Sequence, residues 1–232
     1  MKISAIEMES LRYAQININK IVKAIDKFSL PLKSITEANT CDRFVLPFLD
    51  AFGWNPSYEY WSSQHRIGRS KMHADYAFSK TGYGWVFVEA KRIGVKNLDK
   101  NKQCQMQITK YFNSCPGAHL IILTNGEEYC FYSYGKEMEI QPKPFIKFNI
   151  RKLDLTGNGT FLRHLFINKF NIGNWPKYAE ISRSLSDIQY ALRKAPDTLG
   201  KQNLINKSFE LIYPELDEDE RNEAIRFFST YK

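Results

Sequence analysis

The sequence predicts an α/β protein: a mixed central sheet of four or five strands flanked by helices, one helix ahead of it and a helical region behind it. Three observations carry this. Between Ser57 and Gly94, polar and apolar residues alternate with glycines at the turns, which is the period of strands. On both sides of that stretch, apolar residues recur at threes and fours, the period of amphipathic helices. Asn125-Gly126, set between "AHLIILT" and "EEYCFYSYG", is the strongest short hairpin signal in the chain.

The elements follow in order. Residues 1 to about 28 read as one helix, with Ile3, Ile6, Ala14, Ile18, Ile21, Val22, Ile25 and Phe28 as its apolar stripe. Pro31 breaks the chain, and a second helix begins near Ser34, which has capping-box spacing to Glu37. Its stripe is Ala38, Cys41, Val45, Phe48 and Phe52, and Gly53 and Pro56 stop it. Strands follow to Gly94. "NLDKNKQCQMQITKYFNS" returns to helical spacing, "AHLIILTNGEEYCFYSYG" makes the hairpin, and "PFIKFNIRKLDL" reads as another strand. After Gly157 the character is helical, over roughly 160–170, 178–194, 199–212 and 217–230. The organisation is therefore an N-terminal helix (1–30), an α/β core (31–156) and a helical C-terminal region (157–232). The acids Asp217 to Glu220 fall at a helix start, where carboxylates suit the positive helix end, and read as structural.

Composition narrows the classes of function. A hydrophobic share of 43% excludes a disordered chain, and 232 residues suffice for a sizeable core. No apolar run has the length of a membrane span, and "MKISAIEMES" lacks the core of a signal peptide, so a cytoplasmic protein is expected. Four scattered cysteines without a CxxC pair argue for reduced thiols and against a zinc site. A net charge of +8 favours polyanionic partners, nucleic acid among them.

The chemistry concentrates in one predicted hairpin. If Thr81-Gly82-Tyr83 is a three-residue turn, Lys80 faces Gly84, Ser79 faces Trp85, Ala77 faces Phe87, and Asp75 faces Glu89. Opposed residues point to one side of the sheet, and period two puts Lys91 on that side as well. Two carboxylates that close repel unless a cation lies between them. Lys91 supplies one positive charge. A hard divalent ion, Mg²⁺ or Mn²⁺, suits an all-oxygen donor set for the rest. That is the chemistry of metal-assisted phosphodiester hydrolysis.

These residues carry a resemblance. Asp75 with Glu89-Ala90-Lys91 resembles the D…(D/E)xK signature of the restriction-endonuclease-like nucleases. "EANT", "FVLPFL", "GW", "ADYA", "VEAK", "QITKY" and "LTNG" come in the order and rough spacing of the N-terminal nuclease domain of type I restriction enzyme motor subunits, over about residues 34–155. The resemblance implies a restriction-endonuclease-like core, Mg²⁺- or Mn²⁺-dependent cleavage of DNA, and a role in phage defence or DNA processing. It implies Asp75, Glu89 and the Ala90 carbonyl as metal ligands and Lys91 as the catalytic lysine. Gln107 and Tyr111 match its QxxxY element, sharing one helix face beside the scissile phosphate. Glu37 matches an acidic position that completes such sites, directly or through water. Motor subunits of that family continue into a helicase, and this sequence has no GxxxxGK(S/T) phosphate loop. A separate helicase or specificity partner is therefore expected, with the N-terminal helix and the C-terminal helices as surfaces for docking or self-association.

Each assignment has a structural rival. Glu37 also serves as the acid of a capping box. Asp75, Glu89 and Lys91 could form an ion cluster without turnover, leaving a catalytically silent nucleic-acid-binding or docking module. Gln107 and Tyr111 could be an ordinary half-buried helix face. Arg66, Arg69 and Lys71 are candidate phosphate contacts, or a solvated charge run. His73 reads as a polar neighbour of Asp75. Trp54, Tyr58, Tyr60 and Trp61 read as packing residues rather than base-stacking ones.

Overall fold

The computed structural model describes residues 3–27, 35–69, 71–82, 84–133, 143–157, 159–194, 201–214 and 216–230. Six strands form one open sheet in chain order: β1 (Trp61–Arg66), β2 (His73–Phe78), β3 (Trp85–Ala90), β4 (Ala118–Thr124), β5 (Glu128–Tyr132) and β6 (Ile146–Asn149). All neighbours run antiparallel except β3 and β4, which are parallel. Parallel neighbours need a crossover. Helix α4, which is Lys102–Ser114, provides it, capped by Asn101 through the backbone N–H groups of Gln103 and Cys104. The sheet is thus mixed, as expected, with one strand more than the four or five expected.

The helices before the sheet are α1 (Ala5–Lys27) and a broken rod of α2 (Glu37–Thr40), a π-helical stretch Cys41–Val45 and α3 (Leu46–Asp50). The π-turn has a local cause. Pro47 has no N–H to donate and its ring crowds the carbonyl one turn back, and widening the turn before it relieves both. The Leu46 N–H accordingly donates to the Cys41 carbonyl. The expected Ser34 cap is corrected: Ser34 lies outside the described residues, and Thr36 is the N-cap, its hydroxyl accepting from the Asn39 N–H at 3.1 Å. Glu37 is therefore the first helical residue and is left out of a capping box. The α1 stripe is corrected too. Leu11, Ala14, Ile18, Ile21 and Ile25 are buried, Ile6 is 78% exposed, and Phe28 lies outside the described residues.

One face of the sheet (Tyr76, Phe78, Val88, Leu120, Ile122, Tyr129, Phe131, Phe148) packs in a single cluster with α1, α3 and the C-terminal region. That region comprises the 3₁₀ segment Thr160–Leu165, α5 (Asn174–Lys194), α6 (Lys201–Ile212) and α7 (Glu218–Thr230). Packing thus crosses both boundaries expected near residues 30 and 156. The other face (Ala77, Phe87, Ile121, Leu123, Cys130, Tyr132) packs against Ile108, Tyr111 and Phe112 of α4. The acids at the start of α7 do cap it: Asp217, just before the helix, accepts from the Glu220 N–H, and Glu220 in its first turn accepts from the Asp217 N–H.

Candidate functional site

The β2–β3 register is the expected one over Tyr76–Val88, Ala77–Phe87 and Phe78–Val86. The expected pairs on either side of it, Ser79–Trp85, Lys80–Gly84 and Asp75–Glu89, are not in the ladder. The Trp85 N–H donates instead to the Gly117 carbonyl, and the Ser79 N–H to Tyr60. At the other end the ladder stops for a chemical reason. The Asp75 carboxylate takes the Ala90 N–H at 2.8 Å, in place of a backbone carbonyl.

Asp75, Glu89 and Glu37 each place one carboxylate oxygen within 4.8 Å of the other two. Asp75 and Glu89 come from neighbouring strands, and Glu37 from the first turn of α2. Thr40, one turn further along α2, accepts the Ile93 N–H on its hydroxyl at 3.0 Å and so ties the helix to the chain leaving β3. Lys91 Nζ contacts Glu89 and stands 4.0 Å from Glu37. Its own N–H donates to the Thr124 carbonyl at 2.7 Å, which carries β3–β4 pairing up to the lysine. Gln107 and Tyr111 meet this cluster. The Tyr111 hydroxyl contacts Glu89 and lies 2.8 Å from the His73 carbonyl, so its single proton serves two acceptors, and it accepts from the Gln107 amide at 3.0 Å. His73 contributes its carbonyl here, and its side chain is exposed. Ala90, between Glu89 and Lys91, is buried.

Electrostatics follow from this packing. Burial, reinforced by Asp75, pushes the Glu89 carboxyl above its ordinary value, against the pull of Lys91 and Tyr111. Burial also raises Glu37; Lys91 opposes this and Asp75 adds to it. Burial works the other way on Lys91, but Glu89 and Glu37 outweigh it, and the ammonium is held above its ordinary value. The cluster thus carries three acids and one firmly charged base.

The donor set fits a hard divalent cation. It offers three carboxylates with no His or Cys among them. Donor oxygens around one octahedral ion at about 2.1 Å stand at most about 4.2 Å apart, so these carboxylates could hold one after shifts of under about 1 Å.

Arg66, the last residue of β1, and Arg69 and Lys71 in the connection to β2 are exposed. The Arg66 guanidinium donates to the Arg69 carbonyl at 3.4 Å, and Gly68 lies against the Ser114 carbonyl at the end of α4. The aromatics behave as packing residues. Trp54 is fully buried, stacks on Phe78 at 4.3 Å and donates its indole N–H to the Leu165 carbonyl. Tyr58 donates to the Lys80 carbonyl.

Sequence reasoning missed Gln64. This β1 residue has φ 49°, a left-handed conformation uncommon outside glycine. Its side-chain amide donates to Asp75 at 3.1 Å, on the carboxylate oxygen that the Ala90 N–H leaves. The available signal was the β1–β2 register, in which Ser63 pairs with Tyr76 and His65 with Ala74, putting Gln64 beside Asp75. No short turn fixes that register from sequence.

Comparison with protein-family models, with curated proteins and with solved structures finds no match to this chain. The class that fold and site define on their own is an α/β protein with a six-stranded mixed sheet and an acidic cluster at one end of its β2–β3 pair.

Proposed function

We propose that the chain is a metal-dependent endonuclease that hydrolyses DNA phosphodiester bonds through a restriction-endonuclease-like site. The observation that carries this reading is the convergence of Asp75, Glu89 and Glu37 within 4.8 Å, with Lys91 against Glu89. An acid cluster of this density beside a single ammonium favours a further cation, and the net charge of +8 favours a polyanionic substrate. Asp75, Glu89, Glu37 and the Ala90 carbonyl would hold Mg²⁺ or Mn²⁺. When bound, the ion offsets charge on the scissile phosphate and lowers the pKa of water.

The chain's own groups do the rest. Asp75 is aimed by the Ala90 N–H and the Gln64 amide, Glu89 by Tyr111, and Tyr111 by Gln107. Tyr111 remains a donor, because burial and Glu89 push its hydroxyl above the ordinary value. The Lys91 ammonium orients the attacking water or the phosphate and stabilises the charge that develops in the transition state. Arg66, Arg69 and Lys71 position the backbone of the duplex. In this reading the restriction-type role in phage defence or DNA processing depends on a separate helicase or specificity partner. α1 offers it a surface, with Ile6, Tyr13 and Ile16 respectively 78%, 66% and 56% exposed. Among the described residues, no helix is long and apolar enough to cross a membrane.

The test is cleavage of supercoiled plasmid with Mg²⁺ or Mn²⁺ by the wild type, Lys91→Ala and Asp75→Ala. Metal-dependent nicking that both substitutions abolish, with DNA binding retained, is expected. If all three bind DNA alike and none cuts, the chain is a silent binding module of this architecture. Parallel assays on RNA and single-stranded DNA assign the polymer.

A further inference from the structure

We propose that a cavity between α4 and the start of β2 receives the base and sugar of an unpaired nucleotide next to the phosphate that is cut. The inference rests on the nuclease reading and deepens it, because it makes the substrate a DNA with an unstacked nucleotide at the cleavage position. The cavity has a volume of about 330 Å³, at the lower end of the range for small-ligand sites and suited to one nucleoside. Met72, Gln103, Met106, Gln107 and Lys110 line it.

Position ties this cavity to the acid cluster. Gln107 belongs to both: its amide donates to the Tyr111 hydroxyl at 3.0 Å, and that hydroxyl contacts Glu89. A strand whose phosphate sits at the cluster therefore brings a flanking nucleotide to the cavity. Its chemistry suits that nucleotide. Among the described residues no acid lines it, and α4 carries none from Lys102 to Ser114. Every lining side chain is reachable: Gln103, Met106 and Lys110 are exposed, Met106 at 59%, and Met72 and Gln107 are half-buried. The two thioethers give the face of a base an apolar, polarisable and adaptable surface. Gln103 and Gln107 offer amides, which both donate and accept, to its edge. Lys110 supplies an ammonium for phosphate, and Arg69 and Lys71, exposed in the connection that leads to Met72, supply two more cations. That connection rests on α4, with Gly68 against the Ser114 carbonyl. A paired base has its faces covered by the stack and its edge by its partner, so only an extruded base can use such a cavity. Extrusion is easiest for a nucleotide that is already unpaired.

The experiment uses the full chain and DNA duplexes of one sequence, either fully paired or with a single unpaired nucleotide. Binding is read by fluorescence anisotropy in Ca²⁺, a hard ion for the same oxygen donors, and cleavage is mapped in Mn²⁺. Met106→Glu and Lys110→Gln are compared with Lys23→Gln on α1; each lowers the net charge by one. Wild type and Lys23→Gln are expected to bind the duplex with the unpaired nucleotide about tenfold more tightly than the paired one, as stacking of one base warrants. Met106→Glu and Lys110→Gln lose that preference, and in Mn²⁺ the wild type cuts beside the unpaired nucleotide. Two results overturn the proposal: the wild type shows no preference, or all three variants keep it. Cleavage without the preference removes the cavity and leaves the nuclease reading standing. The preference without cleavage in Mn²⁺ or Mg²⁺ does the reverse, keeping the cavity as a binding site and removing the nuclease.

Discussion

Glu37→Gln separates a metal site from an ion cluster that is complete by itself. In the metal-free protein the Glu37 carboxylate feels Asp75 and Glu89 at no more than 4.8 Å and Lys91 at 4.0 Å. At an effective dielectric near 20, each repulsion is about 3.5 kcal/mol and the attraction about 4 kcal/mol, a net penalty of about 3 kcal/mol. The Glu37 side chain is 48% exposed, and solvent screening reduces that penalty to about 1 kcal/mol. Glutamine keeps the shape and removes the charge. In EDTA the variant is therefore expected to melt about 2–4 °C higher than wild type, the shift about 1 kcal/mol gives a chain of this size. With Mg²⁺ or Mn²⁺ the order reverses. Wild type gains about 2.7 kcal/mol at a metal concentration a hundredfold above Kd, and the variant gains less because one ligand has lost its charge. Thermal denaturation in EDTA and across a metal titration reads both effects. If Glu37→Gln melts lower in EDTA, or keeps the full metal-induced shift, Glu37 is a structural partner of Lys91 and the metal argument fails.

Three further outcomes follow from the same geometry. Glu37 and Glu89 both have folded pKa values above the ordinary 4.5. The stability they contribute is present below 4.5 and lost as pH rises through their raised values, while a metal needs both ionised. Mn²⁺ affinity measured by calorimetry should therefore climb as pH rises above 4.5 through the raised values of the two carboxyls, and a flat profile would contradict the assignment. At Gln64, glycine relieves the left-handed backbone and alanine does not, while both delete the amide that holds Asp75. Gln64→Gly is expected to be more stable than Gln64→Ala by about 1 kcal/mol, with both weakening Mn²⁺ binding; unchanged binding in both would remove Gln64 from the site. In the C-terminal region, Arg163, with a side chain 5% exposed, pairs bidentately with Glu223 of α7. Glu223→Ala leaves that guanidinium buried without its carboxylate and should cost about 3–5 kcal/mol in urea denaturation; a loss under about 1 kcal/mol would mean that α7 docks by its apolar face alone.

Much of the site was legible because its rules are local. The connection from β2 to β3 is short, so the pairing of Ala77 with Phe87 could be worked out before any coordinates although the tight turn assumed for it does not form, with Asp75 and Glu89 following on that side by period two. Helical spacing likewise put Gln107 and Tyr111 on one face, and they share a hydrogen bond. The Thr36 cap was misread because Ser34 satisfies the same spacing rule two residues earlier. Gln64 escaped notice because β1 reaches β2 through a longer, irregular connection that fixes no register from sequence.

The sequence by itself therefore determined the α/β class, the order of the elements and the acid pair on one hairpin, all consequences of backbone periods and turn chemistry. Only the tertiary structure decided that Glu37 leans over the sheet end to meet that pair, and that Tyr111 lands on Glu89 instead of elsewhere along α4. The physical reason is that these contacts join segments far apart in the chain. Their positions are set by how side chains of the two sheet faces and the packed helices fill one volume, and no local period encodes that.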